Sequence, residues 1–269
     1  MLGDYCRKSG KKVFIVYITC GYPDLKTTEN LILEFSKIGV DVIELGIPFS
    51  DPIADGPTIQ KAGNIALSNN VNLYKVFKMV KRIRSRVKSG LAIMSYYNII
   101  YQYGLKRFVI DCKKYGVDGI IVPDLIPEEG KYLIKLSKEY NVNLVFLLAP
   151  TSSLNRIKLV SKHSSGFIYC VSLTGVTGER SRIPDIKDYI NKIKRYTHKP
   201  IAVGFGISKS SQIREILKSA DGVIIGSAII KKMSENIKSK NLVKNVVKFV
   251  NKLKKESVKC QVLTPKVKN

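Results

Sequence analysis

Short apolar runs alternate with longer stretches of helical spacing along the whole chain. The runs VFIVYI, DVIEL, LAIMSY, DGIIV, NLVFLLA, GFIYCV, IAVG and DGVIIG are rich in β-branched residues and read as strands. Between most neighbouring runs lie segments such as LYKVFKMVKRIRSRVK, whose apolar residues return every three or four positions, as on one face of a helix. Strands apolar on both faces, each followed by an amphipathic helix, imply a parallel sheet covered on its outside. About eight such βα units in ~250 residues predict a closed (β/α)8 TIM barrel. An open doubly wound sheet has fewer strands and a glycine fingerprint after the first, whereas here the first strand runs into TCGYPD. No linker rich in Pro, Gly or Ser divides the chain, so one barrel domain is expected over residues 1–256, with a basic, disordered tail over 257–269.

Composition narrows the class. Hydrophobic content of 45% and charged content of 25% are globular values. No apolar run approaches the ~20 residues that span a bilayer, so a soluble protein with no membrane partner is expected. The net charge of +25 raises nucleic-acid binding as an alternative, since phosphates are neutralised by Lys and Arg. The lysines, however, are spread singly over helical faces, as in NLVKNVVKFVNKLKK, and no nucleic-acid motif accompanies them. The charge reads as a solvated surface, with no nucleic-acid partner. The cysteines Cys6, Cys20, Cys112, Cys170 and Cys260 are scattered, with no CxxC, and only His163 and His198 could add nitrogen ligands. Reduced thiols and no metal are expected. The start MLGDYCRKSGKK is basic but lacks an apolar core, and it is too short for a transit peptide before the first strand. With a residue usage rich in Lys, Asn, Ile and Tyr and devoid of Trp, this favours a plastid-encoded (chloroplast) stromal protein, a bacterial cytoplasm being the alternative.

In a closed parallel barrel the chemistry lies at the carboxyl ends of the strands. GFGIS and IGSAI follow the seventh and eighth strands, each leading into a helix. Glycines admit an anion close to backbone N–H groups, and a helix N-terminus adds partial positive charge, so the pair reads as a phosphate cradle, or more simply as tight turns. SLTGVTGER, after the sixth strand, has the small polar composition of a mobile lid hinged by Gly175 and Gly178. ELGIPFSDPIADG carries three carboxylates. Strand alternation places Val42, Glu44 and Gly46 on one face; if that face is interior, desolvation raises the pKa of Glu44 and suits it to exchanging protons near neutrality. The same pattern fits a buried strand acid paired with a lysine. Asp55, beyond two stiffening prolines, is expected in a wetter place where it stays ionised, and Asp51 reads as a turn residue bonding locally.

The stretches ELGIPFSDPIADGPTIQ, IVPDLIPEE, APTSSLNRI, SLTGVTGER, GFGIS and IIGSAI, in this order and spacing from about Phe14 to Val250, resemble the tryptophan synthase alpha subunit family. The resemblance implies a (β/α)8 lyase of tryptophan biosynthesis that splits indole-3-glycerol phosphate into indole and glyceraldehyde 3-phosphate by a retro-aldol reaction. It also implies that indole passes to a beta subunit in an α2β2 tetramer. The alpha chain holds no cofactor, and pyridoxal phosphate is expected in the beta partner. Carried over by position, Glu44 matches the family's general acid and base, Asp55 its partner on the indole nitrogen, and Tyr169 the tyrosine beside the glutamate. Tyr17 falls where an aromatic lines the indole pocket, and Gly178, Gly206, Gly226 and Ser227 match the phosphate site. Thr177, between the lid glycines, is the candidate to bond Asp55 on closure. Val16 stands where the family often has proline and Leu173 at a variable lid position, neither touching the proton chemistry, and Cys20 needs no catalytic role. A phosphate-binding epimerase or ketose isomerase would share cradle and lid, but would want a metal, lysine or histidine at a strand end, and neither His163 nor His198 lies at one. The loops DPIADGPTI and SYYNIIYQYG carry prolines, aromatics and aliphatics beside the mouth, the composition expected where the beta subunit docks.

Overall fold

The apolar runs supply the strands of one parallel sheet, and the helical segments pack outside it. The computed structural model describes residues 2–6, 11–171, 186–204, 206–207 and 209–262, with side chains described as far as Ser257. The chain opens with a short helix, α1 (Leu2–Cys6), followed by β1 (Val13–Thr19), α2 (Leu25–Lys37) and β2 (Val42–Gly46). Two helices, α3 (Pro57–Ser68) and α4 (Leu73–Ile83), precede β3 (Gly90–Met94), and two more, α5 (Tyr97–Tyr103) and α6 (Leu105–Tyr115), precede β4 (Gly119–Ile121). There follow α7 (Lys131–Glu139), β5 (Asn143–Val145), β6 (Leu147–Leu148), α8 (Leu154–His163), β7 (Ile168–Val171) and α9 (Ile186–Lys194). The chain then forms β8 (Ile201–Gly204), α10 (Ser210–Leu217), β9 (Gly222–Ile225), α11 (Ser227–Glu235) and α12 (Leu242–Val262).

The run NLVFLLA forms two strands instead of one, because it breaks at Phe146, whose N–H leaves the ladder to donate to Ser164 Oγ at 2.9 Å. The strand order β5-β4-β3-β2-β1-β9-β8-β7-β6 therefore begins and ends in one stretch of chain. The sheet closes through that stretch, giving the expected barrel of eight strand positions in a single domain. Pleating turns alternate residues inward. Val13, Ile15, Val42, Ala92, Ile121, Val145, Ala202 and Ile224 form the interior cluster, while Phe14, Val16, Ile18, Ile43 and Leu45 belong to the larger core beneath the helices.

The amino end of the barrel is plugged by α1, an element that sequence pattern did not reveal. Leu2 is fully buried in the interior cluster with Cys6, one turn away. A Cβ on Gly119 would lie 2.1 Å from Leu2 Cδ1, so the missing side chain at this strand start makes the seat for the plug. Burial of such a leucine stabilises the fold by about 1.5–3 kcal/mol.

A second device at this end repeats three times. Asp41, Asp118 and Asp221 each stand one residue before a strand, and their Oδ2 atoms accept the N–H groups of Phe14, Leu91 and Ile201, all at 2.9 Å. In return each aspartate N–H donates to the carbonyl of the same residue it clamps. A cation accompanies each carboxylate: Lys11 at 3.2 Å, Arg84 at 3.2 Å and Lys194 at 3.6 Å. Charge-assisted bonds to backbone N–H groups are among the stronger ones, so these clamps hold the register of neighbouring strands away from the reactive face.

The last helix departs from expectation. Instead of a tail from residue 257, α12 continues to Val262, with Val246, Val250 and Leu253 buried at helical spacing and Ser257 buried beyond them. Glu256 is held by Arg214 of α10 at 2.6 Å, and residues 263–269 lie outside the described residues. Among the described residues no helix is long and apolar enough to cross a membrane.

The clamps are open to a direct check. Asp41→Ala strands the buried N–H of Phe14 without its carboxylate and should lower the unfolding free energy by about 1.5–3 kcal/mol. Urea denaturation measures this, and a loss below about 0.5 kcal/mol, the level of an ordinary surface substitution, would show the clamp to be idle.

Candidate active site

Strand register and one loop bring the expected carboxylates and tyrosines to the carboxyl end of the barrel. On β2, Glu44 stands between Tyr17 of β1 and Ala92 of β3 in the pleated ladder. Its side chain is completely buried, and among the described residues neither carboxyl oxygen has a hydrogen-bond partner. The lysine-paired alternative is therefore not realised among these residues. Burial alone pushes the Glu44 carboxyl up to about 8. A buried, unpartnered polar group costs free energy, and such groups cluster where function requires them.

The two tyrosines occupy space left by glycines. A Cβ on Gly46 would lie 2.2 Å from Tyr17 Oη, and one on Gly204 would lie 2.6 Å from Tyr169 Oη. Burial holds both phenols well above their usual range; the charges of Glu44 and Asp55 add to this at Tyr169, and that of Asp55 at Tyr17. Both phenols are thus neutral donors, and Tyr17 Oη already reaches Thr19 Oγ1 at 3.4 Å.

Asp55 is delivered by the loop between β2 and α3. The Ile47 N–H continues the ladder to Met94 O at 2.9 Å, and a turn follows in which the Asp55 N–H donates to Pro52 O at 3.0 Å. Gln60 Nε2 then donates to Asp55 O at 2.8 Å, and Pro57 opens α3 behind it. The position is drier than expected. Asp55 is half-buried, and burial pushes its carboxyl up to about 6, against which the Tyr96 hydroxyl, donating to Oδ2 at 3.0 Å, works downward. Asp55 is still the carboxylate that ionises first, so between about pH 6 and 8 Glu44 carries a proton while Asp55 carries a charge.

Gly226 and Ser227 stand at the start of α11, and a Cβ on Gly226 would meet the Tyr17 ring at 3.2 Å. The first N–H groups of a helix have no internal partner and attract anions. α11 is the short extra helix after the last strand that barrels commonly use for phosphate. Gly206, after β8, is exposed, with open space where a side chain would project. Thr177 and Gly178, with the whole SLTGVTGER stretch, lie outside the described residues.

The remaining candidates resolve simply. Asp51 is exposed and takes the hydroxyl of its neighbour Ser50, a local contact as expected. Cys6, Cys20, Cys112 and Cys170 are buried and form no disulfide with one another, and burial pushes the Cys20 thiol far up. Among the described residues no three His, Cys, Asp or Glu side chains converge as metal ligands do. Sequence reasoning missed Tyr96, which lines a small pocket with Tyr17, Ile47, Asp55, Met94, Ser95 and Pro123. The stretch SYYN marked the place, but nothing in it distinguishes Tyr96 from Tyr97.

A family model described as tryptophan synthase alpha chain matches residues 4–259. The chain belongs to the tryptophan synthase alpha chain family. A tryptophan synthase alpha chain of Thermoanaerobacter sp. (strain X514) is 42% identical over 246 residues, covering 91% of this chain and 94% of the relative. That of Petrotoga mobilis is 43% identical, covering 90% and 95%. Among solved structures, tryptophan synthase subunit alpha from Legionella pneumophila str. Paris superposes with a TM-score of 0.88 at 32% identity, covering 95% of this chain and 97% of that one. A chain of the tryptophan synthase complex from Pyrococcus furiosus gives a TM-score of 0.83 at 38% identity, covering 91% and 99%. As a member of the tryptophan synthase alpha chain family the protein is a lyase of tryptophan biosynthesis, acting in the alpha-subunit role. The curated relatives named here are bacterial and give the plastid expectation no support.

The buried glutamate predicts a pH effect on stability that needs no substrate. Folding raises the Glu44 carboxyl from 4.5 to about 8, so within that window the native state binds the extra proton and stability falls as pH rises. Glu44→Gln removes this contribution. Its unfolding free energy, relative to the native sequence, should be higher at pH 8 than at pH 5, and a parallel pair of pH profiles would contradict the assigned burial cost.

Proposed function

We propose that this chain cleaves indole-3-glycerol phosphate to indole and glyceraldehyde 3-phosphate by a retro-aldol reaction, with Glu44 as general acid and base and Asp55 as the group facing the indole nitrogen. The observation that carries the reading is the unpartnered, buried carboxyl of Glu44 at the strand ends, protonated under conditions in which Asp55 is ionised. Cleavage requires a proton on C3 of the indole, which places positive charge on the ring nitrogen. Glu44 supplies that proton, and Asp55 accepts the N–H bond that strengthens as the charge develops. The resulting Glu44 carboxylate then takes the proton of the hydroxyl next to C3. The carbonyl of the aldehyde forms, the bond to C3 breaks, and its electron pair returns to the ring as indole. Each proton transfer by a placed carboxyl contributes ~10²- to 10⁴-fold.

Tyr17 and Tyr169 bound the ring pocket as neutral walls. The N–H groups at Gly226 and Ser227, with Gly206 and Gly178, hold the phosphate, and the Thr177 hydroxyl is the partner assigned to Asp55. Pyridoxal phosphate belongs, on this reading, to a beta partner that receives the indole in an α2β2 assembly. The docking face is the rim of the mouth, where Ile53 of the Asp55 loop and Tyr101 of α5 are 84% and 63% exposed, with Ile126 of the β4–α7 connection 39% exposed. Large apolar side chains exposed together beside an active site are characteristic of an interface core.

Glu44→Gln keeps the shape of the side chain but exchanges no proton. Indole release should fall at least ~10²-fold while indolepropanol phosphate still binds; native turnover in this variant would remove Glu44 from the mechanism. For the partner, Ile53→Asp or Tyr101→Asp should weaken assembly with a tryptophan synthase beta subunit far more than Lys248→Glu on α12. Titration at fixed salt measures this, and equal losses at the two places would move the interface elsewhere.

A further inference from the structure

Tyr96 connects β3 to α5 and is buried, with its ring packed on that of Phe49 at a centroid distance of 5.1 Å. Its hydroxyl makes two bonds to one loop: it donates to Asp55 Oδ2 at 3.0 Å and accepts the Ala54 N–H at 3.0 Å. The backbone on either side is anchored independently. Ser95 N–H donates to Ile121 O at 3.0 Å, extending the ladder, and Tyr97 N–H donates to Asp124 Oδ1 at 2.9 Å. A phenol fixed to the barrel thus grips both the side chain of Asp55 and the main chain beside it. Among the described residues Oδ1 of Asp55 accepts no hydrogen bond, so the two oxygens are distinguished.

We propose that Tyr96 is the positioning residue for Asp55, its hydroxyl fixing Oδ2 so that Oδ1 is presented to an N–H donor on the substrate. The proposal rests on the role assigned to Asp55 above. A carboxylate on a loop has two rotatable bonds, and an oxygen misplaced by 1 Å loses most of its value to a developing charge. The groups facing Asp55 are Tyr17 of β1, Tyr169 of β7 and Tyr96, with Glu44 behind them on β2 and Asp124 beyond Tyr96. None of these is a cation. The Tyr96 hydroxyl is the described group that favours the charged form of Asp55 against burial, and a neutral donor does so without competing for the oxygen left free. Ionisation and orientation of the carboxylate therefore depend on the same bond.

Tyr96→Phe deletes that bond and keeps the ring on Phe49. The titration of the Asp55 carboxyl carbon, followed by NMR on protein labelled with 13C-aspartate, should move to higher pH, because a bond to the charged form is lost. The acid limb of kcat/KM for indole release should move with it, and kcat/KM near neutrality should fall roughly 10-fold or more. In an Asp55→Asn background, Tyr96→Phe should cause no further loss, and Tyr97→Phe should leave both the titration and the limb in place. An unchanged Asp55 titration in folded Tyr96→Phe, or a loss that multiplies with that of Asp55→Asn, would overturn the proposal. If Tyr96→Phe does not fold, 3-fluorotyrosine at position 96 answers the question: a stronger donor should lower the Asp55 midpoint, and an unmoved midpoint overturns the proposal equally. The titration is read without substrate, so a failure of the lyase mechanism leaves this test intact.

Discussion

The pleat of a closed parallel barrel sends every second strand residue into a narrow interior packed with apolar side chains, and most of this protein follows from what that interior admits. Small and branched apolar residues such as Val42, Ala92, Ile121 and Ile224 fill it, and Leu2 closes its amino end. Toward the carboxyl end the same alternation carries Glu44 into the dry space two residues after Val42. No hydrogen-bond partner among the described residues stabilises its ionised form, and burial keeps its carboxyl protonated up to about pH 8. The dry position of this carboxyl is a consequence of strand geometry.

The two ends of the barrel treat carboxylates in opposite ways. At the amino end Asp41, Asp118 and Asp221 are each matched to a backbone N–H and a cation. Such saturated groups hold strands in register and offer nothing to a ligand. At the carboxyl end Glu44 is left without partners and Asp55 is held by a neutral phenol. Stability concentrates at one face and reactivity at the other, the division expected of this architecture.

Fold class was legible in the chain because most strand residues are buried on both faces, which leaves short, β-branched apolar runs set regularly between longer amphipathic helical segments. Glu44 and Asp55 stood out in one carboxylate-rich stretch and Tyr17, Tyr169, Gly226 and Ser227 were expected only from the family resemblance, and the structure gathers Glu44, Asp55, Tyr17 and Tyr169 at one mouth. The elements that escaped have weak local signals. The plug α1 is a single turn with Leu2, Tyr5 and Cys6 as its apolar residues, and its value appears only against glycines such as Gly90 and Gly119, far away in sequence. The break at Phe146 depends on Ser164, and the extension of α12 past Glu256 on Arg214 and a buried face.

By itself, then, the sequence determined the alternation of strands and helices, the number of barrel positions, and the identity of the two carboxylates, because periodicity and motif are properties of neighbouring residues. Only the tertiary structure decided their chemistry. Whether Glu44 meets a lysine or stays without a hydrogen-bond partner among the described residues, and whether Asp55 lies in water or against Tyr96, depends on residues distant in sequence. Desolvation and hydrogen bonding at a buried group are set by what packs around it, and chain closure into a barrel is what chooses those neighbours.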